Sequence, residues 1–371
     1  MNSITIMLTE RCNLKCKHCA SMASTWTNNR ELNLCEYEKL ISQAAQLGCK
    51  KMVITGGEPL VRKDILFQII RAANEAGISC VILTNGLLID SDALNELGKC
   101  SKKNVVRFSL EFLENEKMKE FRGVDNIPNY IWETSSKLKS MGIKTGINMA
   151  IMKENVAELP YMYQEVKKHG IDYFRAIPIM PIGRATGDQI TKWHFADLIY
   201  EILSLTTNDN KVSFCSDYDD ELNIESLVYG CSGAEKSITI IPDGYAKVCP
   251  FSEIKSKDSF HDNMSLSQLI SQVQNNKQKI YDAFMYSETE CIGCELLEKC
   301  KGGCLSEKYC RTSMYNVNQE ICLKEIWKIV ICRLKENSVS SDILLNTKLK
   351  CEAMCMTDQN VCLRTLPVWN M

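Results

Sequence analysis

Directly after a short β-branched run at residues 3–8 the chain reads Cys12-Asn13-Leu14-Lys15-Cys16-Lys17-His18-Cys19, a CxxxCxxC pattern where a strand should give way to a loop. Thiolates are soft ligands suited to iron-sulfur clusters, and a four-iron cubane ordinarily takes four cysteines, so three leave one iron open. The alternative is a structural zinc knuckle with His18 as fourth ligand, although adjacent His18 and Cys19 make poor joint ligands.

Outward from this loop, β-branched runs alternate with longer amphipathic stretches as far as about residue 206. Six strands are expected, at residues 3–8, 51–55, 79–84, 104–110, 144–151 and 172–179, with helices such as 35–47, 63–76 and 127–141 between them. Gly48, Gly77, Gly142 and Gly170 stand where those helices should end. The pattern predicts an α/β fold, a partial (β/α)6 barrel whose loops after the strand ends carry the chemistry.

Short motifs fall at those loops. Gly56-Gly57-Glu58-Pro59 follows the second strand, Thr84-Asn85-Gly86 the third, Ser109 and Glu111 end the fourth, and Arg122-Gly123 comes after it. With CxxxCxxC, this series resembles the radical S-adenosylmethionine (SAM) superfamily, over nearly the whole chain to Cys322. The resemblance implies that Cys12, Cys16 and Cys19 hold a 4Fe-4S cluster whose open iron chelates SAM. It implies further that Gly56, Gly57, Glu58 and Pro59 hold the methionine amino group, and that Asn85, Ser109 and Glu111 lie among the SAM contacts. Glu111 stands where the family has Asp, and Arg122 is expected to reach the SAM carboxylate. Pro181-Ile182-Gly183-Arg184-Ala185, after the sixth strand, resembles a PxGRA stretch shared by peptide maturases and haem synthases of this superfamily.

Beyond residue 211 the texture changes. Residues 230–249 read as a β-hairpin turning at Pro242, Asp243 and Gly244, and residues 265–286 as a helix. The cysteines run Cys231, then Gly244 and Cys249, then Cys291, Cys294, Cys300, Cys304 and Cys322. Their spacing resembles the SPASM pattern, which implies two auxiliary 4Fe-4S clusters: one on Cys291, Cys294, Cys300 and Cys322, the other on Cys231, Cys249 and Cys304. The fourth ligand of the latter would be Cys215 or an open site. A zinc ribbon is the bland alternative for such CxxC pairs. The expected domains are 1–210 for the barrel, 211–322 for the auxiliary clusters, and 323–371 for a helix at 323–335 and a tail carrying Cys351, Cys355 and Cys362. Cys35, Cys49, Cys80 and Cys100 read as small core residues, and Cys310 and Cys332 are open.

Composition fits this reading. The chain has 371 residues, 20 of them Cys, and a net charge of −2 from 44 basic and 46 acidic residues, scattered rather than striped, which asks for neither nucleic acid nor a membrane surface. No long apolar run or signal peptide is visible, so a soluble, cytoplasmic protein with reduced thiols is expected. The resemblance implies reductive SAM cleavage by electrons from flavodoxin or ferredoxin, then hydrogen abstraction from a peptide or protein, giving crosslinking, oxidation or epimerisation. A small molecule such as a sugar or haem precursor is the alternative substrate. A noncatalytic electron carrier would have no use for GGEP beside CxxxCxxC. Two departures bear on the substrate: the chain starts at the barrel, without the leader-binding domain common in peptide maturases, and Pro250 follows Cys249 where sulfatase maturases carry an Asp base.

Overall fold

A computed structural model describes residues 1–26, 30–180, 182–185, 196–201, 212–214 and 231–287, together with 293–294, 297, 303–304, 329–330 and 332–333. Cys215, Cys291, Cys300, Cys310, Cys322, Cys351, Cys355 and Cys362, with most of the helix expected at 323–335, lie outside the described residues.

The six expected strands form as β1 (Ser3–Met7), β2 (Lys51–Thr55), β3 (Ser79–Thr84), β4 (Val105–Ser109), β5 (Lys144–Ile151) and β6 (Tyr173–Pro178). Between them run α1 (Leu34–Gln46), α2 (Lys63–Glu75), α3 (Ser91–Lys99), α4 (Asn115–Arg122), α5 (Ile127–Ser140) and α6 (Leu159–Lys168). Local chemistry sets their starts: Asn33 and Glu36 form a capping box on α1, and the Asp90 carboxylate accepts from the Ala93 amide at the start of α3. In α2 the residues Ile65, Leu66, Ile69, Ile70 and Ala73 recur at helical spacing and are buried on one face. Each such Ile or Leu contributes about 1.5–3 kcal/mol on burial.

All six strands pair in parallel and in sequence order, and the fold is the α/β partial barrel. Alternate strand residues separate the two faces. Ile4, Ile6, Met52, Ile54, Ile82, Val106 and Phe108 join the helix-side core, whereas Val53, Val81 and Val105 form their own cluster on the interior face. Cys49, Cys80 and Cys100 are in the core as expected. Cys35 is not: it is exposed on the first turn of α1, because the buried stripe there runs through Tyr37, Leu40, Ile41 and Ala44.

Four further strands follow: β7 (Val212–Phe214), β8 (Ser237–Ile240), β9 (Tyr245–Lys247) and β10 (Lys255–Ser259), with α7 (Leu266–Ser287) packed against β9 and β10. The expected hairpin is β8 and β9, closed by Gly244 in the left-handed region at φ 82°. β7 extends the sheet beyond β6, and β8 pairs in parallel with β1, giving one ten-stranded sheet in the order β10-β9-β8-β1-β2-β3-β4-β5-β6-β7. No helix of the described residues is long and apolar enough to cross a membrane.

Candidate active site

The chemistry-bearing residues gather at the carboxyl ends of the strands. The β1–β2 ladder continues past both strands: the Leu8 N–H donates to the Thr55 carbonyl at 2.8 Å, Gly57 to Thr9 at 2.7 Å and Glu58 to Arg11 at 2.9 Å. This brings the GGEP turn against the segment entering Cys12. A Cβ on Gly57 would stand 2.2 Å from the Arg11 carbonyl oxygen, and one on Gly56, whose φ is 142°, 2.5 Å from that of Thr9. Only glycine permits this approach.

Glu58 is completely buried. Its carboxylate accepts from the Thr84 hydroxyl at 2.7 Å, the Asn85 amide at 2.8 Å and the Leu60 amide at 3.1 Å, tying the ends of β2 and β3 together. Burial raises its pKa, and the three donors work against the rise. Asn85, from the TNG motif, reaches the cysteine loop directly: its Nδ2 donates to Asn13 Oδ1 at 2.8 Å.

Glu111 and Arg122, read separately from the sequence, meet as a buried bidentate pair, with Nε and Nη2 each 2.7 Å from a carboxylate oxygen. Burial pushes the Glu111 pKa up, and Arg122 with His18 pulls it below the ordinary carboxylate value. The His18 ring stacks on Phe121 at 4.5 Å, with Nε2 3.8 Å from the Glu111 carboxylate. Burial lowers its pKa to about 4, so the ring is neutral. His18 thus faces the Phe121 and Glu111 side.

Cys12 and Cys16 are buried and Cys19 is partly so, all as free thiols. Burial pushes Cys12 up to about 11 despite the Leu14 amide, which donates to its sulfur at 3.4 Å. Cys16 is raised by burial too, while Arg122 and Arg184 draw it back. Three soft sulfurs on one braced loop, flanked by two guanidinium groups and by a glycine cradle, fit a cluster with an open iron better than a zinc knuckle. A missed residue lies nearby: Asn148 on β5, in register with Ser109 and Arg175, is buried with its Oδ1 unbonded. Alternation puts Ser109, Asn148 and Arg175, with Arg107 one row below, on the interior face. A lone strand Asn gives no motif signal.

At the other end of β1, the Asn2 amide donates to the Lys236 carbonyl at 2.8 Å. There the segments carrying Cys231 and Cys249 come together: a Cβ on Gly233 would be 2.6 Å from Val248, the residue before Cys249. Lys277 of α7 braces them, its Nζ donating to the carbonyls of Cys231 at 2.6 Å and Gly233 at 2.9 Å and to the Glu235 carboxylate at 3.0 Å. Cys294 is partly buried and Cys304 exposed, each preceded by a glycine of positive φ.

Comparison with known proteins agrees with this geometry. Residues 6–166 match the Radical SAM superfamily. AdoMet-dependent heme synthase of Oleidesulfovibrio alaskensis is 25% identical over 346 residues, covering 85% of each chain. Streptococcus suis SuiB bound to precursor peptide SuiA superposes with a TM-score of 0.63 at 19% identity, covering 81% of this chain and 71% of that one. Native anSMEcpe with bound AdoMet and Cp18Cys peptide superposes with a TM-score of 0.67 at 17% identity, covering 94% and 99%. Both likenesses are of fold. With its cysteine loop, its GGEP turn and the parallel strands that carry them, residues 6–166 are a radical SAM domain, and the chain is an enzyme that cleaves SAM at a 4Fe-4S cluster.

Proposed function

We propose that this enzyme modifies a peptide or protein side chain by radical crosslinking, oxidation or epimerisation, with two auxiliary 4Fe-4S clusters in residues 211–322. The observation that carries this reading is the placement of the two cysteine regions at opposite ends of β1. The Cys12 loop follows its carboxyl end, whereas Cys231 and Cys249 flank its amino end through the parallel β8. A substrate held in the barrel interior would then lie between a reducing centre and an electron acceptor, as an oxidation requires. The SPASM-like spacing, and peptides bound to both superposed proteins, support the same reading.

A reduced cluster held by Cys12, Cys16 and Cys19 would supply the electron for reductive cleavage of SAM. The protein contributes position and dryness. Cys12, Cys16 and Cys19 would hold the cluster, and the Gly56–Gly57 turn, pressed against the Thr9 and Arg11 backbone, would hold the methionine amino group of SAM beside it. Glu58 braces that turn and the Glu111–Arg122 pair stands beside the cysteine loop, with Asn148 Oδ1 and Ser109 offering polar contacts on the interior face. A flavodoxin or ferredoxin would serve as reductant.

A second reading, an anionic small molecule such as a haem precursor, is favoured by the two buried interior arginines, Arg107 and Arg175, and by the likeness to a heme synthase. One experiment separates the two. Reduced enzyme is given SAM and either peptides encoded beside its gene or Fe-coproporphyrin III, and 5′-deoxyadenosine is measured. Stimulation by peptide with a mass change in that peptide supports the first reading, and stimulation by the tetrapyrrole alone overturns it. Anaerobically reconstituted protein should hold about twelve irons.

A further inference from the structure

Arg184 follows β6, far along the chain from the cysteine loop, yet it grips that loop at three points. Its Nε donates to the Cys16 carbonyl at 2.9 Å and its Nη1 to the Ala23 carbonyl at 3.0 Å, while its backbone amide donates to the Cys19 carbonyl at 3.0 Å. Gly183 makes the approach possible. Its φ is 64°, and a Cβ there would stand 2.3 Å from the Cys19 oxygen and 2.4 Å from that of Ala20.

Among the described residues the remaining nitrogen, Nη2, is buried without a hydrogen-bond partner, and no carboxylate pairs with this guanidinium. Buried donors are nearly always satisfied, so an orphan at a ligand loop calls for an acceptor that the polypeptide does not supply. The guanidinium is planar, so fixing Nε and Nη1 on two carbonyls also fixes where Nη2 can donate.

We propose that Arg184 is a positioning residue for the cluster on Cys12, Cys16 and Cys19: Nε and Nη1 lock the ligand loop, and Nη2 donates to a sulfur of the bound cluster. Its charge then offsets the negative charge added when the cluster is reduced, making reduction easier. The proposal rests on the reading that these cysteines hold the cluster.

The test uses Arg184→Gln and Arg184→Lys in the full chain, with two measurements. Hydrogen exchange on the metal-free protein reads the amides of residues 12–24, with those of β3 to β5 as the folding control. Roughly tenfold faster loop exchange is expected in both variants, since neither side chain spans both carbonyls as the fork does. The midpoint potential of the SAM-binding cluster, followed by EPR, should shift to lower values in Arg184→Gln and less in Arg184→Lys, which keeps the charge. Unchanged loop exchange overturns the clamp, and an unchanged potential in Arg184→Gln overturns the donation to the cluster. Should one variant lose protection in β3 to β5, the other decides. Wild-type protein that takes up no iron at this loop would defeat the cluster reading instead, and exchange on the metal-free chain still judges the clamp.

Discussion

Two cysteine segments of this molecule are each braced by a cation from a distant element, and the two braces differ. Lys277 gives three N–H groups to the Cys231 carbonyl, the Gly233 carbonyl and the Glu235 carboxylate, so its donors are used and its charge is balanced. Arg184 gives two to the Cys16 and Ala23 carbonyls, keeps a third nitrogen unbonded and has no carboxylate among the described residues. A lysine is a compact point charge and an arginine a rigid fork. The first closes a structural corner; the second leaves a buried cationic donor unused. The difference between holding a backbone and also serving a ligand is therefore visible in how completely each cation is satisfied.

The largest effect that sharpens this comparison comes from replacing Cys12, Cys16 and Cys19 together by Ala. SAM cleavage should vanish while iron bound through the Lys277-braced region persists in the EPR spectrum; loss of all iron would mean that the two regions do not bind independently. Gly57→Val should come next. Its Cβ would press on the Arg11 carbonyl at 2.2 Å, so iron content at the first loop should fall along with SAM affinity, and normal iron with weakened SAM binding would show that the turn acts on SAM alone. Glu111→Leu strands the buried Arg122 guanidinium and should cost about 3–5 kcal/mol in urea unfolding. Lys277→Met leaves two carbonyls unbonded, at about 1–3 kcal/mol for each that water does not reach, and a melting temperature equal to wild type would remove its bracing role.

The smallest effect is a pH dependence. Burial holds His18 at about 4, below its ordinary 6.5, so between those values the unfolded chain binds a proton that the folded chain does not. Stability of the metal-free protein should thus fall as pH drops through this window, by about 2 kcal/mol at pH 5. His18→Phe keeps the stack on Phe121 and should flatten the curve; an unchanged slope would assign the dependence to other groups.

Much of the barrel was legible in the sequence because its signals are local. Short β-branched runs mark β1 to β6, and the glycines after α1, α2, α5 and α6 mark helix ends. The motifs stand at strand ends, where a barrel must carry its site. What stayed hidden depends on contacts between distant segments. Nothing local in residues 237–240 announces a parallel partner in β1. Glu111 and Arg122 read as two separate ligand contacts until the turn of α4 brings them together. Cys35 has an apolar neighbourhood in sequence but lies off the buried stripe of its helix. Arg184 was visible within a PxGRA stretch, yet no spacing rule indicates that its fork closes on the Cys16 and Ala23 carbonyls.

The hydrogen bonds from Gly57 to Thr9 and from Glu58 to Arg11 carry a consequence for redesign. They make the GGEP turn and the approach to Cys12 two sides of a single rung, so neither can be exchanged alone. A chimaera that imports the cysteine loop of one relative and the glycine turn of another would inherit two halves cut for different partners, whereas a transplant of residues 3–60 as one block would keep the joint intact.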